Sequence, residues 1–255
     1  MVKVNVLILR VAGTNCDLET NWAFELAGGA PERIHINRII ENKKLLEKYQ
    51  ILIIPGGFAY GDDISAGKVL ANQIKFKLWD EIQKFIDNKK VIIGICNGFQ
   101  VLVKSGILPW IGKQSVTLTW NNSSKFEDRW TYLKLENSVC HFFKGLPEII
   151  KLPVAHAEGK FIPENNITLK KINEKKLVLF RYCDKNGEYS SYPYNPNGSV
   201  ENIAGICNQT GLVLGMMPHP ERCVLKYHLP DWTNSSKNKY TYGFKFFKNV
   251  VEYFS

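Results

Sequence analysis

The sequence predicts an α/β protein built on a doubly wound, mostly parallel sheet flanked by helices, with an added antiparallel strand region. Three observations carry this. Four strand–helix alternations fit within about the first hundred residues, the rhythm of a parallel sheet with crossover helices. The central run Val91-Ile92-Ile93 is β-branched and wholly apolar, as a strand covered on both faces must be. From residue 112 to 199 the segments turn shorter, aromatic and polar, with turn signals at 121–124, 144–147 and 195–198, the pattern of antiparallel strands laid onto that sheet. No linker, repeat or low-complexity tract interrupts the chain, so residues 1–255 are expected to form a single domain.

Taken in order, residues 4–9 form a first strand and 11–15 the loop at its carboxyl end. Asp17 is placed to cap a helix over 18–27, whose Trp22, Ala23, Leu26 and Ala27 recur at helical spacing before Gly28-Gly29 stops it. Alternation predicts a second strand over 34–39, with His35 on its polar side, and a short helix over 41–49. Ile51-Leu52-Ile53-Ile54 is a buried strand that ends in the glycine-rich loop 55–63. Helical repeats fill 65–88 and lead into the central strand. Near the end, 203–207 and 213–217 form a hairpin, and 242–254 an amphipathic helix.

Composition narrows the function classes. No apolar run reaches the ~18 residues a membrane helix needs, and the N-terminus lacks the small-residue cleavage site of a signal peptide. The six cysteines are scattered without a CxxC pair, so they read as reduced cytoplasmic thiols and not as a disulfide framework or metal site. The formal net charge of +9 is spread over nearly every helical segment. A nucleic-acid binder would gather it into one patch within a recognisable module, so a solvated basic surface is expected, with a docking face for an acidic partner as the alternative.

The chemistry concentrates where the central strand meets Gly94-x-Cys96-x-Gly98. Glycines on either side of a cysteine allow a sharp strand-to-helix turn that lifts the thiol above the sheet edge. The helix beginning there favours the thiolate with its positive end, so Cys96 is the expected nucleophile. Cys16 lacks such glycines and is expected to be a loop or packing residue. Loop 55–63 lacks the Gly-Lys-Ser/Thr of a phosphate loop; Gly56-Gly57 can instead bring backbone N–H groups beside Cys96, forming an oxyanion hole with the N–H of Asn97. A thiolate also needs a base and an orienting carboxylate. His219-Pro220-Glu221 supplies both on a rigid turn; His156 with Glu158 has the same spacing without the proline and is the rival pair.

The stretch Gly94-Ile95-Cys96-Asn97-Gly98-Phe99-Gln100, with Met217-Pro218-His219-Pro220-Glu221-Arg222, resembles the class I, triad-type glutamine amidotransferases. Further segments resemble one branch, the glutaminase subunits of phosphoribosylformylglycinamidine synthases: residues 13–17, 55–63, 125–130, 154–161 and 195–199. The resemblance implies hydrolysis of glutamine to glutamate and ammonia through a cysteine thioester. Cys96 would be the nucleophile, His219 the proton carrier and Glu221 its orienter, with Gly57 and Asn97 as oxyanion donors. Gly56, Phe58, Gln100, Ala157 and Glu158 would contact glutamine. It further implies two partners, a large synthetase subunit with a third small subunit beside it. ATP and magnesium would sit on the synthetase, with no cofactor or metal in this chain. Relative to compact bacterial members the extra length falls in 112–199 and 229–240. A free-standing hydrolase and a catalytically silent regulatory module are the alternatives on the same fold.

Overall fold

The computed structural model describes residues 3–234 and 238–255. Met1, Val2 and residues 235–237 of the near-C-terminal extra segment lie outside the described residues. The first half alternates as expected: β1 (Asn5–Arg10), α1 (Asp17–Leu26), β2 (Ala30–His35), α2 (Ile36–Glu41), β3 (Ile51–Ile54), α3 (Lys68–Lys77), α4 (Trp79–Asp87), β4 (Val91–Ile95) and α5 (Asn97–Lys104). The second half holds β5 (Val116–Thr119), β6 (Glu127–Leu135), β7 (Ile149–His156), β8 (Lys160–Pro163) and α6 (Asn166–Glu174). It continues with β9 (Val178–Cys183), β10 (Ile203–Cys207), β11 (Val213–Met216) and α7 (Tyr242–Glu252).

Nine strands form one sheet in the order β2-β1-β3-β4-β11-β10-β9-β6-β7. Neighbours from β2 to β11 run parallel, and those from β11 to β7 antiparallel. The antiparallel strands therefore extend the parallel sheet edge to edge. They are not laid across it; only β5 and β8 stand apart, as a two-stranded ribbon. Every residue of β3, β4 and β11 is buried, which explains why their sequences lack alternation. Each fully buried isoleucine there contributes roughly 1.5–3 kcal/mol. Helix α5 is buried along its whole length, so the helix behind Cys96 is held rigidly from all sides.

Three local expectations are corrected, and one helix is added. The second strand is Ala30–His35 and not 34–39, because its ladder to β1 starts at Ala30 opposite Asn5. The His35 ring accepts from the Asn37 N–H at 3.3 Å, capping α2, and buried Ile36 and Ile39 are its inward face at helical spacing. The helix expected over 41–49 is a 3₁₀ segment, Lys43–Lys48. Asp17 is the first residue of α1 and makes no cap; its buried carboxylate pairs with Arg10 at 2.8 Å and Arg33 at 3.2 Å. Helix α6, unanticipated within the strand region, starts from an Asn165 side chain that accepts from Thr168 N–H at 2.9 Å.

Candidate active site

The site is assembled by one register. β4 and β11 run parallel with Ile95 opposite Met216, so the loops leaving them, Cys96 and Met217 onward, start side by side at the carboxyl edge of the sheet. The Cys96 N–H still donates to Met216 O at 2.7 Å, and then the chain breaks sharply into α5. Cys96 takes φ 51° and ψ −104°, a strained conformation for a side-chain-bearing residue. The turn needs Gly98: a Cβ there would lie 1.8 Å from Ile54 O. The strain is held by the fully buried α5 and β4, and its result is a thiol at the mouth of a cleft. At rest the Cys96 thiol donates to Ala155 O at 3.5 Å.

On the neighbouring loop, His219 is anchored through its N–H to Pro153 O at 2.9 Å, and a 3₁₀ turn over Pro220–Arg222 folds the carboxylate back. His219 Nδ1 and Glu221 Oε1 lie 2.5 Å apart, both side chains almost wholly buried. His219 Nε2 has no hydrogen-bond partner among the described residues; it is the ring nitrogen left free for proton transfer. Burial opposes charge on this ring, but the Glu221 carboxylate and the Cys96 and Cys16 sulfurs outweigh it and hold the pKa well above the ordinary value.

A cleft of about 290 Å³ opens beside the thiol, lined by Cys96 together with Gly57, Phe58, Gln100, Ala157 and Glu158. Gly56 lies behind it, under His219, where a Cβ would come within 2.8 Å of ring Cε1. Asn97 is buried beneath and knits the floor: its Oδ1 accepts from Ala59 N–H at 3.2 Å, while its Nδ2 donates to Asp62 Oδ1 and Gln100 Oε1, both at 2.9 Å. Gln100 Nε2 donates to Glu158 O at 2.7 Å.

The Glu158 carboxylate faces inward. It accepts from Ala66 N–H at 3.0 Å and pairs with buried Lys104 at 3.1 Å, so its charge is matched inside the protein. The carboxylate on the cleft wall that makes no ion pair among the described residues is Asp62, although the Lys104 charge still acts on it. Its Oδ1 is held by Asn97 and by the Gly67 N–H at 3.3 Å, and burial raises its pKa. Sequence reasoning missed both Asp62 and Lys104. Asp62 carried a faint signal in the glycine-rich loop that bears it; Lys104, directly after the apolar run Val101-Leu102-Val103, carried a stronger one, since a lysine there needs a partner.

The rival pair does not form. His156 Nδ1 lies 3.2 Å from Asn121 Oδ1, its Nε2 3.5 Å from Asn197 Nδ2, and burial lowers its pKa to about 3. It is a neutral ring held by two asparagines, with Glu158 turned away to Lys104.

Cys16 is a packing residue in an unexpected place. It is wholly buried, with Sγ 4.0 Å from His219 Nδ1 and 3.0 Å from Arg222 Nη2. Burial pushes its thiol pKa up. Among the described residues Cys16, His219 and Glu221 are the only group with donor atoms within 4.8 Å of one another, the spacing a metal needs. The His219–Glu221 bond and the Arg222 cation occupy that space, so the arrangement suits a hydrogen-bonded pair better than an ion. No described helix is long and apolar enough to cross a membrane.

The chain matches a CobB/CobQ-like glutamine amidotransferase domain over residues 3–254. It is 47% identical to the phosphoribosylformylglycinamidine synthase subunit PurQ of Dehalococcoides mccartyi, covering 99% of this chain and 98% of that protein. The PurQ of Methanococcus maripaludis is 40% identical, with both chains covered in full. A chain in the structure of PurLQS from Thermotoga maritima superposes with a TM-score of 0.76 at 30% identity, again over the whole of both chains. A glutamine amidotransferase of Thermotoga maritima shares the fold at a TM-score of 0.56 and 15% identity, over 92% of this chain and 82% of that one. Similarity of 40–47% identity to PurQ proteins along nearly the whole chain, on a fold whose sheet edge carries cysteine, histidine and glutamate together, places the chain in the glutamine amidotransferase family, among the phosphoribosylformylglycinamidine synthase PurQ subunits.

Proposed function

We propose that this chain is the glutaminase subunit of a phosphoribosylformylglycinamidine synthase, and that Cys96, His219 and Glu221 are its catalytic triad. The observation that supports this most is the polarity of His219: Nδ1 bonded to Glu221 at 2.5 Å and Nε2 free. Glutamine enters the cleft with its side-chain amide at Cys96. The thiol proton is carried on His219 Nε2 as sulfur attacks the amide carbon. The developing oxyanion takes hydrogen bonds from the backbone N–H groups of Gly57 and Asn97. Collapse breaks the C–N bond, and His219 returns the proton to nitrogen, releasing ammonia and leaving a γ-glutamyl thioester. Water, deprotonated by the same nitrogen, then attacks the thioester; glutamate leaves and the thiol is restored.

Gly56, Phe58, Gln100 and Ala157 shape the pocket around the substrate, and Glu158 acts through Lys104 and its own carbonyl. Asp62, the cleft carboxylate that makes no ion pair among the described residues, takes the glutamine α-ammonium. Residues 1–255 act as one domain. The ammonia goes to a large synthetase subunit, which binds ATP and magnesium and converts formylglycinamide ribonucleotide to the amidine; a third small subunit completes the complex. The setting is cytoplasmic. The deciding experiment is glutamate release by the purified chain, first alone and then with the synthetase subunit in the presence of its substrates. Strong activation by the partner is expected. Full activity alone would indicate a free-standing hydrolase, and none in either state a regulatory module. Cys96→Ala is expected to abolish turnover without unfolding the chain.

A further inference from the structure

A second cavity, of about 660 Å³, lies between β7, residues 226–231, residues 238–241 and the start of α7. Along β7 the partly exposed positions alternate with buried ones, so Lys151 on this cavity and Ala155 on the glutamine cleft share one face of the strand, four residues apart. The two spaces are separate. Four lysines line the second one, Lys151, Lys185, Lys226 and Lys245, against a single carboxylate residue, Asp231. None of the four forms an ion pair among the described residues.

Two of these ammonium groups lie over aromatic faces: Lys151 Nζ is 5.5 Å from the ring centre of Tyr132, itself part of the wall, and Lys226 Nζ is 5.3 Å from that of Tyr227, which lies outside it. Such contacts fix a cation in place without neutralising it. Tyr132, Tyr240 and Tyr242 add aromatic wall. Four lysines without a carboxylate partner around a concavity of this size suit a small polyanion. We propose that this cavity binds the polyphosphate group of a small organic phosphate. It is a site apart from glutamine hydrolysis, and it gives a use to part of a basic balance that the triad leaves unexplained.

The test is calorimetric titration of the full chain with magnesium-free ATP, with sodium tripolyphosphate and with adenosine, at low salt. ATP and tripolyphosphate are expected to bind and adenosine not to. ATP binding more tightly than tripolyphosphate would identify a nucleotide as the source; equal affinity would identify the phosphates alone. Each of Lys151→Ala and Lys226→Ala is expected to weaken binding about tenfold, with Lys151→Gln and Lys226→Gln reproducing the loss should an alanine variant fold poorly. A distant Lys43→Ala is expected to leave affinity unchanged. No binding of either phosphate, adenosine binding alone, or affinity indifferent to both lysines would overturn the assignment.

Discussion

Two segments of this chain have the same local formula, a buried histidine and a buried glutamate two residues apart: His156-Ala157-Glu158 and His219-Pro220-Glu221. Both reach the carboxyl edge of the sheet. In one, the imidazole and carboxylate face each other at 2.5 Å; in the other they face away, the ring to Asn121 and Asn197, the carboxylate to Lys104. The Pro220 turn bends Glu221 back under its histidine, while His156 ends the extended β7, where neighbouring side chains point to opposite faces and the chain then turns away. Spacing supplies a possible pair, and third parties decide whether it forms. The partners also set the charge: a carboxylate draws the His219 pKa up, whereas burial among neutral amides takes that of His156 down to about 3.

The sharpest way to break the contrast is to remove each ring. His219→Asn is expected to lower kcat by about 10⁴-fold or more with the fold intact, whereas His156→Gln should stay within about tenfold of the parent in kcat. Steady-state glutaminase assays of the activated complex decide it, and the reverse ranking would exchange the two roles. Glu221→Gln tests the orienting contact and should cost about 10³-fold in kcat with KM little changed. Loss equal to that of His219→Asn would make Glu221 more than an orienter.

Lys104→Met leaves the Glu158 carboxylate buried without its cation, and a loss of about 3–5 kcal/mol is expected in urea unfolding. The double variant with Glu158→Gln should recover much of it. Failure to recover would mean that Lys104 acts through its bonds to Ser65 and Ala66 more than through Glu158. Asp62→Asn keeps the acceptor oxygen used by Asn97 but removes the charge. It should raise KM for glutamine about 10- to 100-fold with a smaller change in kcat, and an unchanged KM would remove Asp62 from substrate binding.

The smallest effect is the pH dependence of His156. Its folded pKa lies below its unfolded one, so the unfolded chain takes up a proton first as pH falls. The stability it contributes is complete above about 6.5 and declines toward pH 3, by about 1.4 kcal/mol per pH unit over that window. Urea midpoints measured from pH 7 to 5 should fall more steeply in the parent than in His156→Gln. Parallel curves would mean that His156 is protonated in the folded protein.

Much of this was legible in the chain itself. The strands β1, β3 and β4 are marked by unbroken apolar runs, and α7 by helical periodicity, because burial on two faces or on one stripe leaves a direct trace in residue type. The elbow was legible for a similar reason: the Gly98 backbone approaches Ile54 too closely for any side chain. The second strand was misplaced because Ile34 and Ile36 fit a strand period while Ile36 and Ile39 fit a helical one over so short a run, and pairing to β1 made the choice. Asp17 looked like a cap, but two arginines from other strands claimed it.

What the sequence determined by itself was the strand–turn–helix at Cys96 and the compact His219-Pro220-Glu221 turn, both local consequences of glycine and proline stereochemistry. Only the tertiary structure decided that these two loops leave adjacent parallel strands in register, and that Cys16 lies behind His219 while Lys104 claims the Glu158 carboxylate. Those facts rest on contacts between residues far apart in the chain. Their geometry is set by how the sheet pairs and how the core packs, and neither leaves a mark in any short stretch of residues.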